Sequence, residues 1–274
     1  METDATAHLK AGDLQGALSA LQGQVRANPG DAKLRIFLFQ LLCVLGDWKR
    51  AITQVKLCAE LDALALPMAQ TYREAIICEV FREKVFAGEK DPLIFGEPGE
   101  WLALLGQALK ALAQGQPQRA ADLRARAFDM APPCAGTINE QPFDWIADAD
   151  MRLGPVLEII LKGRYYWMPF AAIAKLTVEE PTDLRDSVWS AAHVTFHNGG
   201  DTVALIPTRY VNTGATGDDA AKLSRATHWA DVGADTWVGT GQRLLTTDQG
   251  DVALMDLRTL TMAEQPAGAG AVGG

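Results

Sequence analysis

Apolar residues recur with a helical period through the first half of the chain, residues 1–134. Over residues 68–86, for example, Ile76 and Val80 lie one turn apart, as they would on one face of a helix. Glycine and proline then interrupt the pattern before a further helix begins at Trp101. The spacing therefore predicts an array of helices joined by turns.

A short motif repeats within this helical pattern. Gly12 and Gly46 lie 34 residues apart, each is followed by aspartate, and an alanine follows each glycine after five residues, at Ala17 and Ala51. A period of 34 residues is that of the tetratricopeptide repeat, a pair of antiparallel helices. Glycine suits the end of one helix, and alanine suits a close crossing of the second. A weaker third copy begins at Gly115.

After residue 134 the pattern changes to short strand-like runs separated by turns. Residues 156–170 predict a hairpin with a Lys-Gly turn, residues 194–206 predict a second hairpin, and residues 244–257 predict a third. One short helix is predicted over residues 218–225. This half is therefore expected to be mainly β.

Together these patterns predict an α+β protein of two domains. A tetratricopeptide-like α-helical repeat array over residues 1–134 is followed by a compact, mainly β C-terminal domain over residues 135–262. Residues 263–274, mostly alanine and glycine, are predicted to form a flexible tail.

The charge balance narrows the range of partners. Lysine and arginine number 25 against 34 aspartates and glutamates, which gives a net charge of −9. Residues 135–274 hold 10 basic and 18 acidic residues, so this half accounts for −8 of the total. Nucleic acids and anionic membranes require a basic face, and neither is an expected partner.

Location and redox state follow from other features of the sequence. No apolar run approaches the roughly 20 residues of a membrane-spanning helix, and the acidic N-terminus does not resemble a secretory signal. A cytoplasmic protein is therefore expected. The four cysteines form no C-x-x-C pair, so we expect reduced thiols packed among apolar side chains.

Candidate chemistry is concentrated in an acidic cluster formed by Asp144, Asp148 and Asp150. Carboxylates at this density could bind Mg²⁺ or Ca²⁺, but the cluster lacks the glycine and the closing glutamate of an EF-hand loop. The preferred interpretation is that these carboxylates cap turns or pair with Arg152 and Arg164. Catalytic residues, cofactors and metal ligands are not predicted.

A run of aromatic residues follows the acidic cluster. If residues 164–170 form a strand, Tyr165 and Trp167 share one face, and Arg164 and Tyr166 share the other. Tyrosine, tryptophan and arginine are common anchors of protein interfaces. One face could therefore be an exposed contact surface, or both faces could be core.

Several ordered strings in the second half resemble the ImpE family, also called TagJ or SciE. They are FDWIADAD at residues 143–150, GRYYWMPF at 163–170, PTDLRD at 181–186, ALIPTRY at 204–210 and GQR at 241–243. The residues within or beside these strings that could form a family-specific or partner-binding surface are Asp144, Trp145, Asp148, Asp150, Arg152, Arg164, Tyr165, Trp167, Arg185, Asp186, Trp189, Arg209 and Tyr210.

The resemblance implies a cytoplasmic accessory protein of bacterial type VI secretion systems. It further implies binding to the N-terminal helix of the sheath subunit TssB and an indirect link to sheath disassembly by the ATPase ClpV. The resulting prediction is a non-catalytic adaptor. Two alternatives stay open: a metal- or ligand-dependent enzyme using the acidic cluster with Glu158 and Arg209, and a general tetratricopeptide scaffold outside secretion.

Overall fold

A computed structural model of the protein describes residues 4–96 and 99–263. In this part the first half forms seven α-helices, in which α1 packs on α2, α3 on α4 and α6 on α7. Their bounds, with the one short strand between them, are α1 Asp4–Ala11, α2 Leu14–Ala27, α3 Ala32–Val44, α4 Trp48–Leu61, α5 Leu66–Phe86, β1 Leu93–Ile94, α6 Glu100–Ala113 and α7 Pro117–Met130. No helix in the described ranges is long and apolar enough to cross a membrane. The predicted helical array is confirmed.

The repeated Gly-Asp pair has a local physical cause. Gly12 and Gly46 both have positive φ angles, which lets the chain leave α1 and α3 in the left-handed conformation that glycine adopts without strain. The next residues, Asp13 and Asp47, cap α2 and α4, because each carboxylate accepts a hydrogen bond from the backbone N–H three residues later. The pair therefore encodes one helix end and the next helix start.

The second half forms most of the strands of three sheets. The element bounds are β2 Gly136–Ile138, β3 Gln141–Phe143, β4 Ile146–Asp148, β5 Val156–Leu161, β6 Arg164–Pro169, β7 Ile173–Val178, β8 Trp189–Phe196, β9 Asp201–Pro207, α8 Thr213–Thr216, α9 Asp219–Lys222, β10 Thr227–Asp231, β11 Trp237–Gly241, β12 Leu244–Thr247, β13 Gly250–Ala253 and β14 Thr259–Met262. Over the described residues, the largest sheet has nine strands in the order β1-β6-β5-β9-β8-β7-β14-β2-β3. The other two sheets are β13-β12-β4 and β10-β11.

All three predicted hairpins are present, as the antiparallel pairs β5–β6, β8–β9 and β12–β13. The second is longer than predicted, and the third returns for only four residues before a 3₁₀ turn at Leu254–Asp256. The helix predicted over residues 218–225 is the shorter α9. Apart from Ala263, the predicted tail lies outside the described residues.

The helices and the large sheet share one apolar core. Phe39 of α3 and Ile76 of α5 belong to the same buried cluster as Trp167 and Trp189. Met168 follows Trp167 on β6 but belongs to a second cluster, which lies on the opposite face of the strand. Both faces of β6 are therefore core. The strand β1, which lies within the helical half, adds to this connection by pairing in parallel with β6.

Glycine also permits a close backbone approach between the halves. A Cβ atom added to Gly46 would lie 3.0 Å from the Cα of Gly214, at the start of α8. Gly46 thus serves two purposes, since it has a φ of +72° and also faces another main chain. Gly115 has a φ of +71° but has open space where a Cβ would lie.

This difference predicts unequal costs for two alanine substitutions. Gly115→Ala should lower the free energy of unfolding by about 1 kcal/mol, the cost of a left-handed alanine. Gly46→Ala should lower it by about 2–4 kcal/mol, because the added methyl group also pushes against Gly214. Denaturant unfolding followed by circular dichroism measures both values. Equal losses would show that the Gly46–Gly214 approach is not a tight contact.

Candidate functional site

A buried carboxylate joins α5 to the sheet. Glu158 of β5 is fully buried and accepts hydrogen bonds from Arg82 of α5, at 2.6 Å from Nε and 2.7 Å from Nη2. Arg243, which precedes β12, donates to the same carboxylate, and so does the hydroxyl of Tyr165. One glutamate therefore connects three separate segments of the chain.

The network extends to both sides of this glutamate. Arg82 also donates to Glu79 at 3.2 Å, and Glu79 accepts a hydrogen bond of 3.0 Å from the indole of Trp189. On the sheet, the indole of Trp167 donates to the Tyr165 hydroxyl at 2.8 Å. The aromatic residues that could have formed an exposed surface therefore satisfy buried polar groups instead.

Two carboxylates near Arg243 have opposite pKa shifts. Burial alone would raise the pKa of Glu158, but Arg243 and Arg82 overcome this effect and lower it to about 2. Asp148 has a weaker ion pair, with its Oδ2 3.4 Å from the Nε of Arg243. Burial therefore dominates there and raises the pKa of Asp148 to about 7.

Arg209 connects the sheet to α3. Its Nη1 donates to the carbonyls of Val44 and Lys222 at 2.7 Å each, and its Nη2 donates to Cys43 at 3.1 Å. These carbonyls include the last ones of α3, where a cation is favoured by the helix dipole. The carbonyl of Arg209 accepts from Arg82 at 2.9 Å, so this anchor is continuous with the Glu158 network.

The acidic cluster divides between the interior and the surface. Asp150 accepts two hydrogen bonds from the guanidinium of Arg152 and one from its backbone N–H, and it also accepts one from the N–H of Gly239 at 2.9 Å. The expectation that carboxylates here pair with Arg152 is confirmed for Asp150. Asp144 is exposed and takes no part, while Arg164 is exposed at the start of β6.

Arg185 and Asp186 stabilise the turn before β8. Arg185 pairs with Asp183, and its guanidinium lies 4.7 Å from the ring centre of Tyr72 on α5. The carboxylate of Asp186 accepts hydrogen bonds from the backbone N–H groups of Thr182 and Asp183. Both residues therefore hold a connecting segment against the helical half.

The structure places the predicted surface residues at three depths. Those that are buried, and thus beyond the reach of a partner in this structure, are Asp148, Asp150, Tyr165, Trp167, Trp189, Arg209 and Tyr210. Those of intermediate burial are Arg152, Arg185 and Asp186, and those that are exposed are Asp144, Trp145 and Arg164. The buried residues mostly belong to the junction between the two halves.

Sequence reasoning missed Glu79 and Arg82. They lie three residues apart on α5, next to the buried residues Ile76 and Cys78. Two opposite charges on the apolar face of a helix are a detectable signal for a buried ion pair. Glu158, the partner of Arg82, lies 76 residues further along the chain, and no local pattern connects the two.

An open apolar groove lies between α4 and α5. Its volume is about 530 Å³. The residues that line it are Ile52, Val55, Lys56, Ala59, Leu66, Pro67, Ala69, Gln70 and Arg73. Three leucines at the connection between the two helices, Leu61, Leu64 and Leu66, are exposed to solvent, and Leu64 is 90% exposed. This groove is a candidate surface for a partner.

Comparison with known proteins agrees with the family strings. The family model described as ImpE protein matches residues 140–261, and a tetratricopeptide repeat model matches residues 8–66. The type VI secretion system accessory component TagJ of Pseudomonas aeruginosa is 56% identical over 252 residues, which cover 92% of this chain and 88% of that relative. This chain belongs to the ImpE family.

A solved structure supports the same arrangement for this ImpE-family chain. The crystal structure of a Vibrio parahaemolyticus protein superposes with a TM-score of 0.88 at 26% identity, over 97% of this chain and 99% of that one. The prediction of helical repeats followed by a mainly β region is thus confirmed. Glu79 and Arg82 lie between the segments matched by the two family models.

The described part of this ImpE-family chain can be searched for groups that would bind a metal ion and for reactive thiols. No three His, Cys, Asp or Glu side chains among residues 4–96 and 99–263 are placed to hold a metal ion together. All four cysteines are buried, and burial raises the pKa of Cys58 and Cys134 to about 11. The expectation that the thiols pack in the interior is confirmed.

The Glu158 network predicts a large loss of stability when its central charge is removed. Glu158→Gln removes the counter-charge that Arg82 and Arg243 share, and leaves Arg82 only its pair with Glu79 and Arg243 only its weaker pair with Asp148. The free energy of unfolding should therefore fall by about 3–5 kcal/mol. Asp144→Asn changes the same chemical group at an exposed position and should cost less than about 0.5 kcal/mol. Denaturant unfolding at pH 7 measures both. Similar losses in the two variants would contradict a buried network.

The raised pKa of Asp148 predicts that the stability of the protein depends on pH. Its pKa is about 7 in the folded protein and near the ordinary 3.8 when unfolded, so its stabilising contribution is lost as pH rises through 7. Between pH 5 and pH 8, the free energy of unfolding of Asp148→Asn should therefore rise relative to that of the unsubstituted protein. Denaturant unfolding at both pH values gives the difference in free energy of unfolding between the two proteins. The contributions of the histidines cancel in this difference, because both proteins contain the same histidines. A constant difference would refute the shift.

Proposed function

We propose that this protein is a non-catalytic adaptor of a bacterial type VI secretion system, and that it binds the N-terminal helix of the sheath subunit TssB. The observation that carries the proposal is the 56% identity, over nearly the whole chain, to a relative named as the accessory component TagJ. In this proposal the adaptor works in the cytoplasm and acts on sheath assembly or on disassembly by ClpV.

The architecture supports a binding role for the helical half. Stacked helical repeats present extended surfaces, and an amphipathic partner helix can place its apolar face in a groove between them. Part of the repeat surface is covered by the protein's own sheet, because Trp189 packs on Tyr72 of α5 and Arg209 caps α3. The groove between α4 and α5 remains open in the described part of the chain.

The shared core determines how binding should be measured. Residues 1–134 alone would expose Phe39 and Ile76, which pack against the sheet in the whole protein. A binding defect of that fragment would be uninterpretable. The full chain is therefore the correct reagent.

We expect saturable binding of a peptide with the sequence of the TssB N-terminal helix to the full chain. Burial of one amphipathic helical face should give a dissociation constant of about 1–50 μM, since a peptide loses conformational entropy when it folds on binding. Fluorescence anisotropy of the labelled peptide measures it.

A scrambled peptide of the same composition is the control, because it keeps the charge and removes the apolar stripe. Equal binding of both peptides, or no binding of the TssB peptide at high micromolar protein, would reject the proposed contact.

A further inference from the structure

The walls of the α4–α5 groove repeat with the period of a helix. On α4, Ile52, Lys56 and Ala59 follow one another at spacings of four and three residues. On α5, Leu66 and Arg73 lie seven residues apart, or two turns. Ridges with this spacing accommodate the side-chain ridges of a third helix.

The backbone at the groove favours a helix over an extended peptide. Both walls are α-helices, whose interior N–H and C=O groups are already paired, so a peptide strand would find no free sheet edge there. Recognition must therefore come from side chains. A partner helix can supply aliphatic residues at spacings of three, four and seven, which match a groove about two turns long.

The charge of the groove selects among such helices. Its lining contains two basic residues, Lys56 and Arg73, and no acidic residue. Arg73 is exposed and makes no hydrogen bond or ion pair with the described residues. Lys56 lies 3.8 Å from Glu60 in an exposed pair of the kind that contributes little to stability. Both cations can therefore meet anions of a partner, although the chain as a whole carries −9.

We infer that the α4–α5 groove binds an amphipathic helix whose aliphatic stripe is flanked by acidic side chains. The stripe contacts Ile52, Ala59 and Leu66, and the acidic residues pair with Lys56 and Arg73. The exposed Leu64 extends the apolar contact beyond the end of the groove. This inference rests on the proposed function for the identity of the partner, and it adds the location of the contact and the charge that the helix must carry.

The test uses the full chain and two labelled probes, whose binding is followed by fluorescence anisotropy. One probe is the TssB N-terminal helix peptide. The other is a designed helix with leucines at positions i, i+3 and i+7 flanked by glutamates, and a second version of it carries lysines in place of the glutamates. Circular dichroism of each protein variant verifies that it is folded.

The double charge reversal Lys56→Glu with Arg73→Glu should weaken binding of the TssB peptide and of the glutamate-flanked helix about ten-fold or more, because the inferred attractions become repulsions. It should strengthen the lysine-flanked helix. The matched control, Lys33→Glu with Arg126→Glu, makes the same change of net charge at exposed positions on α3 and α7 and should leave binding within about two-fold.

The apolar contact is tested by a matched pair of substitutions. Leu66→Ser removes a 54% exposed side chain from the groove and should weaken binding of the TssB peptide and of the glutamate-flanked helix about five-fold. Met130→Ser removes a 46% exposed side chain at the end of α7 and should have no effect.

The outcomes separate the two claims. If the TssB peptide binds the native chain and the groove variants equally, the groove inference is overturned and the proposed function stands. If the designed acidic helix binds and responds to the groove variants while the TssB peptide does not bind, the proposed partner is rejected and the groove inference stands. If neither probe binds, both are overturned.

Discussion

The structure depends on placing a charged glutamate in its interior. An isolated carboxylate at the position of Glu158 would be strongly destabilising, because burial removes its hydration. Arg82 from the helical half and Arg243 from the β region supply the compensating charges, and Tyr165 adds a hydrogen bond. Neither half alone contains all of these partners, so the network makes the correct docking of helices on the sheet a condition for a stable interior.

This constraint explains how the repeat array is used. In a free-standing solenoid each repeat contacts only its neighbours. Here α3 and α5 also pack against the sheet, where Arg209 caps one helix and Trp189 lies beside the other. The array therefore holds part of its own chain on one side. The groove formed by α4 and α5 is left with an apolar floor and two basic residues.

The features that sequence reasoning recovered are local. The Gly-Asp pairs signal a helix end and a cap within three residues, and the hairpin at residues 156–170 follows from alternation and a turn. The Glu158 network joins groups 76 and 85 residues apart, and no periodicity encodes such a meeting. The family strings lie within the segment that the family model matches. A string of residues does not show whether its tryptophan is exposed or buried, and the burial of Trp167 is decided by tertiary packing.

Helix α5 brings the interior and the candidate binding surface together. Glu79 and Arg82 on one part of it enter the buried network, while Leu66 and Arg73, nearer its start, line the groove. Because Arg82 is fixed by two hydrogen bonds to Glu158, the helix that forms one wall of the groove is held against the sheet before any partner arrives. A preformed wall lowers the ordering cost of binding, so most of that cost falls on the partner helix. In the proposed binding mode, the buried charges thus contribute to recognition by fixing the surface, without contacting the partner.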